Sequence, residues 1–229
     1  MRHIWGGIAL CAMCGLLAAC TQTSTKLAEA APITWSDQSG KRVILVDPDV
    51  ELSELTAGGM TEARADWTAT GKTFIRDDIA SSLQAKGISL VSMDALTDRH
   101  EVQLVKLHGA VGLSILQNAL LNLPTKAKKF DWTLGPGVAA IRDHYHGDYA
   151  LFVFVRDSYT TAGRALVMLG AAMLGVGIQG GQQVGFASLV DLHTGRIVWF
   201  NRLASSSGSL KEAKGAQATV QNLLNGIPL

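Results

Sequence analysis

The amino-acid sequence predicts an α/β fold: a mixed sheet of about five strands with helices packed on its faces, and a C-terminal β-hairpin followed by a helix. Tyr149–Val155 is an unbroken apolar run without polar alternation, which is typical of a short strand covered on both faces. Two β-rich runs, Val184–Leu192 and Arg196–Leu203, flank a short loop containing Gly195, which predicts an antiparallel hairpin. Helix and strand patterns alternate through most of the remaining chain, as in α/β proteins.

The N-terminal residues have the features of an export signal. A basic start precedes the mainly apolar stretch Ile4–Leu17, and the segment closes with Leu17-Ala18-Ala19-Cys20. This ending resembles the lipobox of bacterial lipoproteins. The resemblance implies that residues 1–19 are a cleaved signal peptide and that Cys20 becomes acylated, for example with palmitate, and anchors the chain in the bilayer. In that family Thr21, where an Asp would favour the inner membrane, implies the periplasmic face of the outer membrane. An ordinary secretory peptide or membrane anchor is the alternative.

Removal of this leader changes what the composition implies. Cys11 and Cys14 leave with it, so Cys20 is the last of the three cysteines and the domain has no disulfide. One Arg also leaves, and 19 of the 20 Lys and Arg residues remain to balance 19 Asp and Glu. A net charge near zero gives no indication of a nucleic-acid partner.

The mature chain is predicted to have two parts. Residues 20–40 are small and polar without periodicity, which predicts a lipidated flexible tether. Residues 41–229 are long enough for one sizeable core, which predicts a single periplasmic α/β domain.

The elements predicted within the domain follow one another in a regular order. They are a strand at Val43–Val46, a half-exposed edge segment at Asp49–Glu54, a helix from Asp66 to about Lys86, a strand at Ile88–Val91, a helix from Asp98 to Leu121, a short helix from Pro136 to about His146, the central strand, the hairpin, and a helix over Lys211–Asn225. Asp98 followed by Glu101 resembles a capping box. In the last helix we expect Val220, Leu223 and Leu224 to face inward.

Two groups of polar residues could hold a cation, but each also has a simpler explanation. The acids Asp47, Asp49, Glu51 and Glu54 could form a solvated rim that discourages pairing at the sheet edge. His144, His146 and Asp148 form a His-x-His-x-Asp spacing. However, the two histidines would point about 200° apart on a helix and would complement the dipole at its C-terminal end. We therefore predict no metal site and no cofactor.

The segment from residue 165 to residue 178 carries no charge over fourteen residues. A helix needs about 20 apolar residues to span a bilayer, so this segment is too short to cross one. It could be a core helix covering one face of the sheet. It could also be a surface that contacts a membrane or a protein partner, in which case the candidate contact residues are Leu166, Leu169, Met173 and Leu174.

The closing motif Phe186-Ala-Ser-Leu-Val-Asp-Leu-His-Thr-Gly-Arg-Ile-Val-Trp199 carries a family resemblance. With the element order, it is similar to the periplasmic α/β domain of the curli-secretion lipoprotein, the N-terminal domain of the Tol propeller protein and outer-membrane activators of peptidoglycan synthases. Asp49–Asp66 and Asp148–Arg164 resemble a group of proteobacterial lipoproteins of uncharacterised function. The resemblance implies scaffolding, assembly or secretion in the envelope and no catalytic residues.

These observations favour a binding or assembly module over an enzyme. Its expected partners are the lipid bilayer, through acylated Cys20, and an envelope protein or further copies of the chain. An auxiliary lipoprotein of a lipid-transport or secretion system is an alternative, and it predicts an apolar groove beside residues 165–178. An envelope hydrolase is a further alternative, with Arg156-Asp157 at the end of the central strand as its site. The chain has neither a Gly-x-Ser-x-Gly motif nor a His-Glu-x-x-His motif.

Overall fold

The computed structural model describes residues 21–27, 42–93, 98–121, 124, 126, 129–206 and 210–229. It confirms the predicted α/β fold. The strands are β1 (Thr21–Leu27), β2 (Arg42–Leu45), β3 (Asp49–Leu55), β4 (Thr61–Ala63), β5 (Ser89–Ser92), β6 (Tyr149–Thr160), β7 (Gln183–Asp191) and β8 (Ile197–Ser205). The helices are α1 (Ala65–Ala85), α2 (Arg99–Leu121), α3 (Ala139–Tyr145), α4 (Ala162–Met173) and α5 (Ala213–Leu223), with a 3-10 turn at Pro136–Val138.

The long strand β6 organises a mixed sheet. On one side β6, β7, β8 and β1 are successively antiparallel. On the other side the first half of β6 pairs in parallel with β2, and the second half pairs in parallel with β3. Strand β5 extends the sheet beyond β2, and β4 forms a short antiparallel pair with β3. The apolar run Tyr149–Val155 is buried as predicted, but the strand continues to Thr160.

Helices cover both faces of this sheet. One face buries Leu45, Leu151 and Trp199 against α1 and α5, and the other buries Ile44, Phe152 and Phe186 against α2 and α3. The alternation of side chains along each strand assigns neighbouring residues to opposite cores. The result is a three-layer arrangement in which α4 belongs to neither helical layer.

Several predicted elements have the expected local structure. The carboxylate of Asp98 accepts hydrogen bonds from the backbone N–H of His100 at 2.7 Å and of Glu101 at 3.1 Å, so it caps α2. Gly195 has a φ of +74° in the β7–β8 turn, a conformation that suits glycine. Val220, Leu223 and Leu224 are buried beneath α5. Helix α1 begins at Ala65, so Asp66, where the sequence predicts the helix to start, lies within its first turn.

The prediction of a flexible tether over residues 20–40 is wrong for Thr21–Leu27. These residues form β1, which pairs with β8 along its whole length, from Thr21 opposite Ser205 to Leu27 opposite Trp199. The strand is polar and lacks an alternating apolar pattern, so periodicity does not reveal it. Residues 28–40 and Cys20 lie outside the described residues.

Helix α2 is long and apolar enough to cross a membrane by length and composition. It nevertheless buries a face that includes Leu104, His108 and Ile115 against the sheet. A helix used in this way is a core helix of the domain.

The sheet has two distinct ends. At the α4 end, β6 finishes at Thr160, β7 begins at Gln183, β8 finishes at Ser205 and β1 begins at Thr21. At the opposite end, which we call the hairpin end, β7 turns into β8 through Leu192–Arg196. The segment from residue 161 to residue 182 connects β6 to β7 across the α4 end.

Candidate binding surface at one end of the sheet

Helix α4 begins directly after β6, with only Thr161 between them. The hydroxyl of Thr161 caps it by accepting a hydrogen bond from the backbone N–H of Arg164 at 3.1 Å. Beyond Met173 the chain turns at Gly175 and returns to β7 in an extended segment. Glycines 175, 177 and 180 therefore follow a helix and precede a strand, which is the reverse of the order in a dinucleotide-binding loop.

The candidate contact residues are strongly exposed. The exposed fractions are 70% for Leu166, 55% for Leu169, 78% for Met173 and 82% for Leu174. None of the residues of α4, all of which the structure describes, is buried. The interpretation of this segment as a core helix is therefore wrong, because its apolar side chains have no core to enter.

Hydrogen bonds nonetheless fix the segment to the sheet. The guanidinium of Arg164 donates to the carbonyl of Gln179 at 2.9 Å, which links the start of α4 to the segment that leads into β7. The backbone N–H of Gly181 donates to the hydroxyl of Thr160 at 2.7 Å, and the N–H of Ser158 donates to the carbonyl of Gln182 at 2.9 Å. The exposed helix is thus held in a defined position at the α4 end.

A cleft of about 430 Å³ lies beside α4. Its lining includes Gln22, Thr160, Gln179 and Gln182, and Met168 is the side chain of α4 that enters it. An acyl-chain groove requires a mainly apolar lining. Amides, hydroxyls and glycines line this cleft together with Met168, Val184 and Ala204, and most of its exposed lining is apolar. The cleft is open to solvent, so it matches only in part the groove expected of a lipid carrier.

The residues proposed for an enzymatic site have structural partners instead. Asp157 is 1% exposed, and its Oδ2 accepts hydrogen bonds from the Tyr159 hydroxyl at 2.8 Å, the Gln183 amide at 3.2 Å and the Leu210 N–H at 3.1 Å. Burial and the neighbouring carboxylate raise the pKa of Tyr159 above its ordinary value. This network joins β6, β7 and the segment that leads into α5, so Asp157 holds the core together.

The prediction of a solvated rim is wrong for Asp47 and Asp49, whereas Glu51 is exposed as a rim residue would be. Asp47 is 6% exposed and forms ion pairs with Lys72 and Arg76 of α1. Asp49 pairs with Arg156 at 2.9 Å and lies 3.7 Å from Lys106. Buried carboxylates are retained when they are paired and hydrogen-bonded. A second cleft, of about 400 Å³, lies between these two groups, but its charges already neutralise one another.

The residues of the His-x-His-x-Asp spacing do not converge on one point, and His144 and Asp148 have different partners. His144 Nδ1 lies 3.2 Å from Glu101 of α2, whereas the carboxylate of Asp148 accepts from the backbone N–H of Arg42 at 2.9 Å. His146 ends α3 with a φ of +54°. Among the described residues no cluster of three or more His, Cys, Asp or Glu side chains could hold a metal ion.

A buried polar pair was not apparent from the sequence. His108 Nε2 lies 2.9 Å from the hydroxyl of Ser188, and the imidazole ring stacks on Phe152 at 4.9 Å between ring centroids. Burial lowers the pKa of His108 from its ordinary value of 6.5 to about 3. Both residues are inaccessible, so the pair joins α2 to the sheet and cannot reach a substrate.

Comparisons with known proteins show no sequence relative. No protein-family model matches the chain, and no curated protein sequence matches it. Among solved structures, a PelC dodecamer from Paraburkholderia phytofirmans is 11% identical with a TM-score of 0.40, covering 90% of this chain and 97% of that chain. The C-terminal domain of LpoB from Salmonella enterica is 12% identical with a TM-score of 0.31, covering 77% of this chain and 86% of that chain. At these values the likeness carries no argument about function.

Proposed function

We propose that this chain is a lipid-anchored protein on the periplasmic face of the outer membrane that acts as a binding and assembly module in the cell envelope. The observation that carries the proposal is α4, a well-positioned helix on which Leu166, Leu169 and Met173 are each more than half exposed in the described chain. The lipobox at Cys20 supports an envelope location. The proposal assigns no catalytic residue and no cofactor.

The energetics of α4 support an interaction surface. Burying a Leu or Met side chain stabilises by about 1.5–3 kcal/mol relative to leaving it in water. Leu166, Leu169, Met173 and Leu174 forgo most of that stabilisation in the isolated chain, because more than half of each is exposed. Large contiguous apolar patches on soluble domains mark contacts with membranes or other proteins. A binding partner outside the described residues would therefore supply the contacts that these side chains lack.

The state of Asp157 supports a binding module over a hydrolase. A general acid or base must reach the proton that it transfers. Asp157 is 1% exposed and is held by Tyr159, Gln183 and Leu210. Arg156 is likewise engaged, with its guanidinium 3.9 Å from the ring centroid of Phe154 and paired with Asp49.

An auxiliary role in lipid transport or secretion is the second candidate. The cleft beside α4 is the feature that favours it, since its volume of about 430 Å³ is sufficient for a small ligand. The cleft is open to solvent, whereas ligand sites bury most of the ligand's surface. We therefore rank this candidate below the binding module.

The proposal is tested by separating the anchor from the domain. We expect Cys20→Ala, or treatment with globomycin, to prevent maturation and remove the chain from the outer-membrane fraction. Cys14→Ala is the matched control, because Cys14 lies in the leader but outside the lipobox, and it should leave fractionation unchanged. An unchanged membrane fraction for Cys20→Ala would contradict the anchor.

Crosslinking in intact envelopes tests the binding role. Affinity purification of the tagged parent chain, followed by mass spectrometry, should recover an envelope protein or a defined oligomer of the chain. Cys20→Ala should lower that recovery, because it removes the chain from its partner's membrane. Recovery of the monomer alone from the parent would contradict assembly and favour the enzymatic alternative.

A further inference from the structure

Exposed apolar side chains are concentrated at the α4 end of the sheet. Besides those of α4 and Val176 just beyond it, Met60 is 69% exposed in the β3–β4 turn. That turn is next to α4, since Gly59 lies against the guanidinium of Arg164 and Leu55 pairs with Thr160. The apolar surface therefore extends past the helix onto the neighbouring turn.

Helix α2 contributes to the same end. His108 contacts Ser188 of β7, and one turn later Gly112 lies so close to Phe186 that a Cβ would be 2.0 Å from its ring. Phe186 is nearer than Ser188 to the start of β7, and β7 starts at the α4 end. From His108 to Gly112, α2 therefore runs towards the α4 end. Leu120 lies eight residues beyond Gly112, about 12 Å further along a helix. Leu120 and Leu121 are 76% and 74% exposed.

The hairpin end has the opposite character. Asp191, His193 and Arg196 lie in or beside the β7–β8 turn, and Asp148 lies 3.5 Å from the imidazole of His193. Arg42 begins β2 at this end, where its N–H donates to Asp148. The large exposed apolar side chains thus distinguish the α4 end from the hairpin end, and the α4 end also carries charged side chains beside β4, among them Glu62 and the ion pair of Glu54 with Arg64.

The register of β1 places the proposed anchor at the α4 end. Thr21 is opposite Ser205, Ser205 is opposite Gln183, and Gln183 is opposite Asp157 of β6. With neighbouring strands about 4.8 Å apart, these three steps separate Thr21 from β6 by roughly 15 Å. Gln22 also lines the cleft that Met168 of α4 enters. Cys20 directly precedes Thr21, so acylation would hold this end of the sheet at the bilayer.

We propose that the α4 end of the sheet lies in the surface of the lipid bilayer, with α4 and the last turn of α2 in contact with lipid. This inference rests on the proposed function, because it uses the acyl anchor at Cys20. The anchor and the two helices would then fix the domain in one orientation, with its strands rising from the membrane and the hairpin end in the periplasm.

The chemistry of α4 fits a bilayer as its occupant. A helix in the interface buries its apolar face about 5–10 Å into the boundary between headgroups and acyl chains. Residues 165–178 carry no charge that would have to enter this layer. Arg164 lies in the first turn of the helix, where its guanidinium, held by the carbonyl of Gln179, can remain at the headgroup level. Thr21 is part of the sheet, so no tether separates it from the domain. An acyl chain on Cys20 would therefore hold the exposed side chains of the α4 end close to the membrane.

Single-cysteine labelling can test this orientation in the full chain. No cysteine follows Cys20 in the sequence, so Met173→Cys, Leu120→Cys and His193→Cys each introduce one thiol for an NBD fluorophore. Each labelled lipoprotein is reconstituted into vesicles of phosphatidylethanolamine and phosphatidylglycerol that contain a nitroxide-labelled lipid. We expect NBD at residues 173 and 120 to shift to shorter wavelength and to lose intensity as nitroxide lipid is added. NBD at residue 193, the matched control, should keep its intensity.

The parent chain, without an introduced cysteine, shows whether a negative result contradicts the bilayer contact of α4 or the acyl anchor of the proposed function. If Cys20 is acylated, the parent takes up no label; labelling at Cys20 would instead overturn the proposed anchor. If Cys20 is blocked but NBD at residue 173 remains insensitive to nitroxide lipid, the bilayer contact is overturned. Self-quenching at residue 173 that depends on protein density, without an effect of nitroxide lipid, would also overturn it and would assign α4 to a second copy of the chain.

Discussion

His108 shows how one residue couples α2 to the sheet. Its ring lies between Phe152 and Phe186 and meets the hydroxyl of Ser188. The folded protein holds this imidazole neutral because burial lowers its pKa from 6.5 to about 3. The unfolded chain takes up a proton near pH 6.5, so the free energy of unfolding falls as the pH drops from 6.5 towards 3.

We predict that replacing this pair with apolar residues flattens the acid dependence of stability. His108→Phe combined with Ser188→Ala removes the titrating group together with the hydroxyl that would otherwise lose its partner. Thermal unfolding followed by circular dichroism should show a smaller fall in Tm between neutral and acidic pH than in the parent. An equal fall in both proteins would show that His108 does not set the acid dependence.

Some residue roles were predictable from the sequence and others were not. The cap at Asp98 and the glycine at residue 195 follow local rules that spacing reveals. The burial of Asp47 depends on Lys72 and Arg76, which approach it only when α1 packs on the sheet. Asp157 likewise appears exposed in the sequence because a strand was expected to end before it. Polar residues with distant partners cannot be recognised from neighbouring residues.

At the scale of elements, α4 and α5 are both short helices, but only α5 is part of the core. Leu223 of α5 is 0% exposed, whereas Leu169 of α4 is 55% exposed. We predict that Leu169→Asp with Met173→Asp changes the free energy of unfolding by no more than about 0.5 kcal/mol, the usual range at exposed positions. The control Leu223→Ala should lower it by about 2–5 kcal/mol. Urea unfolding measures the free energy of unfolding of both variants. A comparable decrease in the two variants would show that α4 packs in the core.

Elements with a strong apolar pattern were predicted, and elements without one were not. Strand β6 and helix α5 follow from their own residues. Strands β1 and β4 are polar and become strands because β8 and β3 supply hydrogen-bonding partners. The apolar composition of residues 165–178 was evident, but the sequence left open whether that segment faces the core or the outside.

At the scale of the whole molecule, two cores share one sheet. Ile79 of α1 belongs to the core on one face and Ile141 of α3 to the core on the other, and both are 0% exposed. We predict that Ile79→Ala and Ile141→Ala each lower the free energy of unfolding by about 2–5 kcal/mol without splitting the transition. Far-ultraviolet circular dichroism and tryptophan fluorescence should report the same midpoint in each variant. Separate midpoints would show two independently unfolding units.

The pairing of β1 also constrains the order in which the chain can fold. The hydroxyl of Thr25 donates to the carbonyl of Asn225, 200 residues away, and β1 itself hydrogen-bonds only to β8 within the described sheet. Contacts between such distant segments form slowly, because a long loop must close first. A ribosome makes β1 before all the other described strands and β8 after all of them. Strand β1 is therefore synthesised first among the described strands but can join the sheet only after β8 has been synthesised. Until then β1 lacks its partner strand.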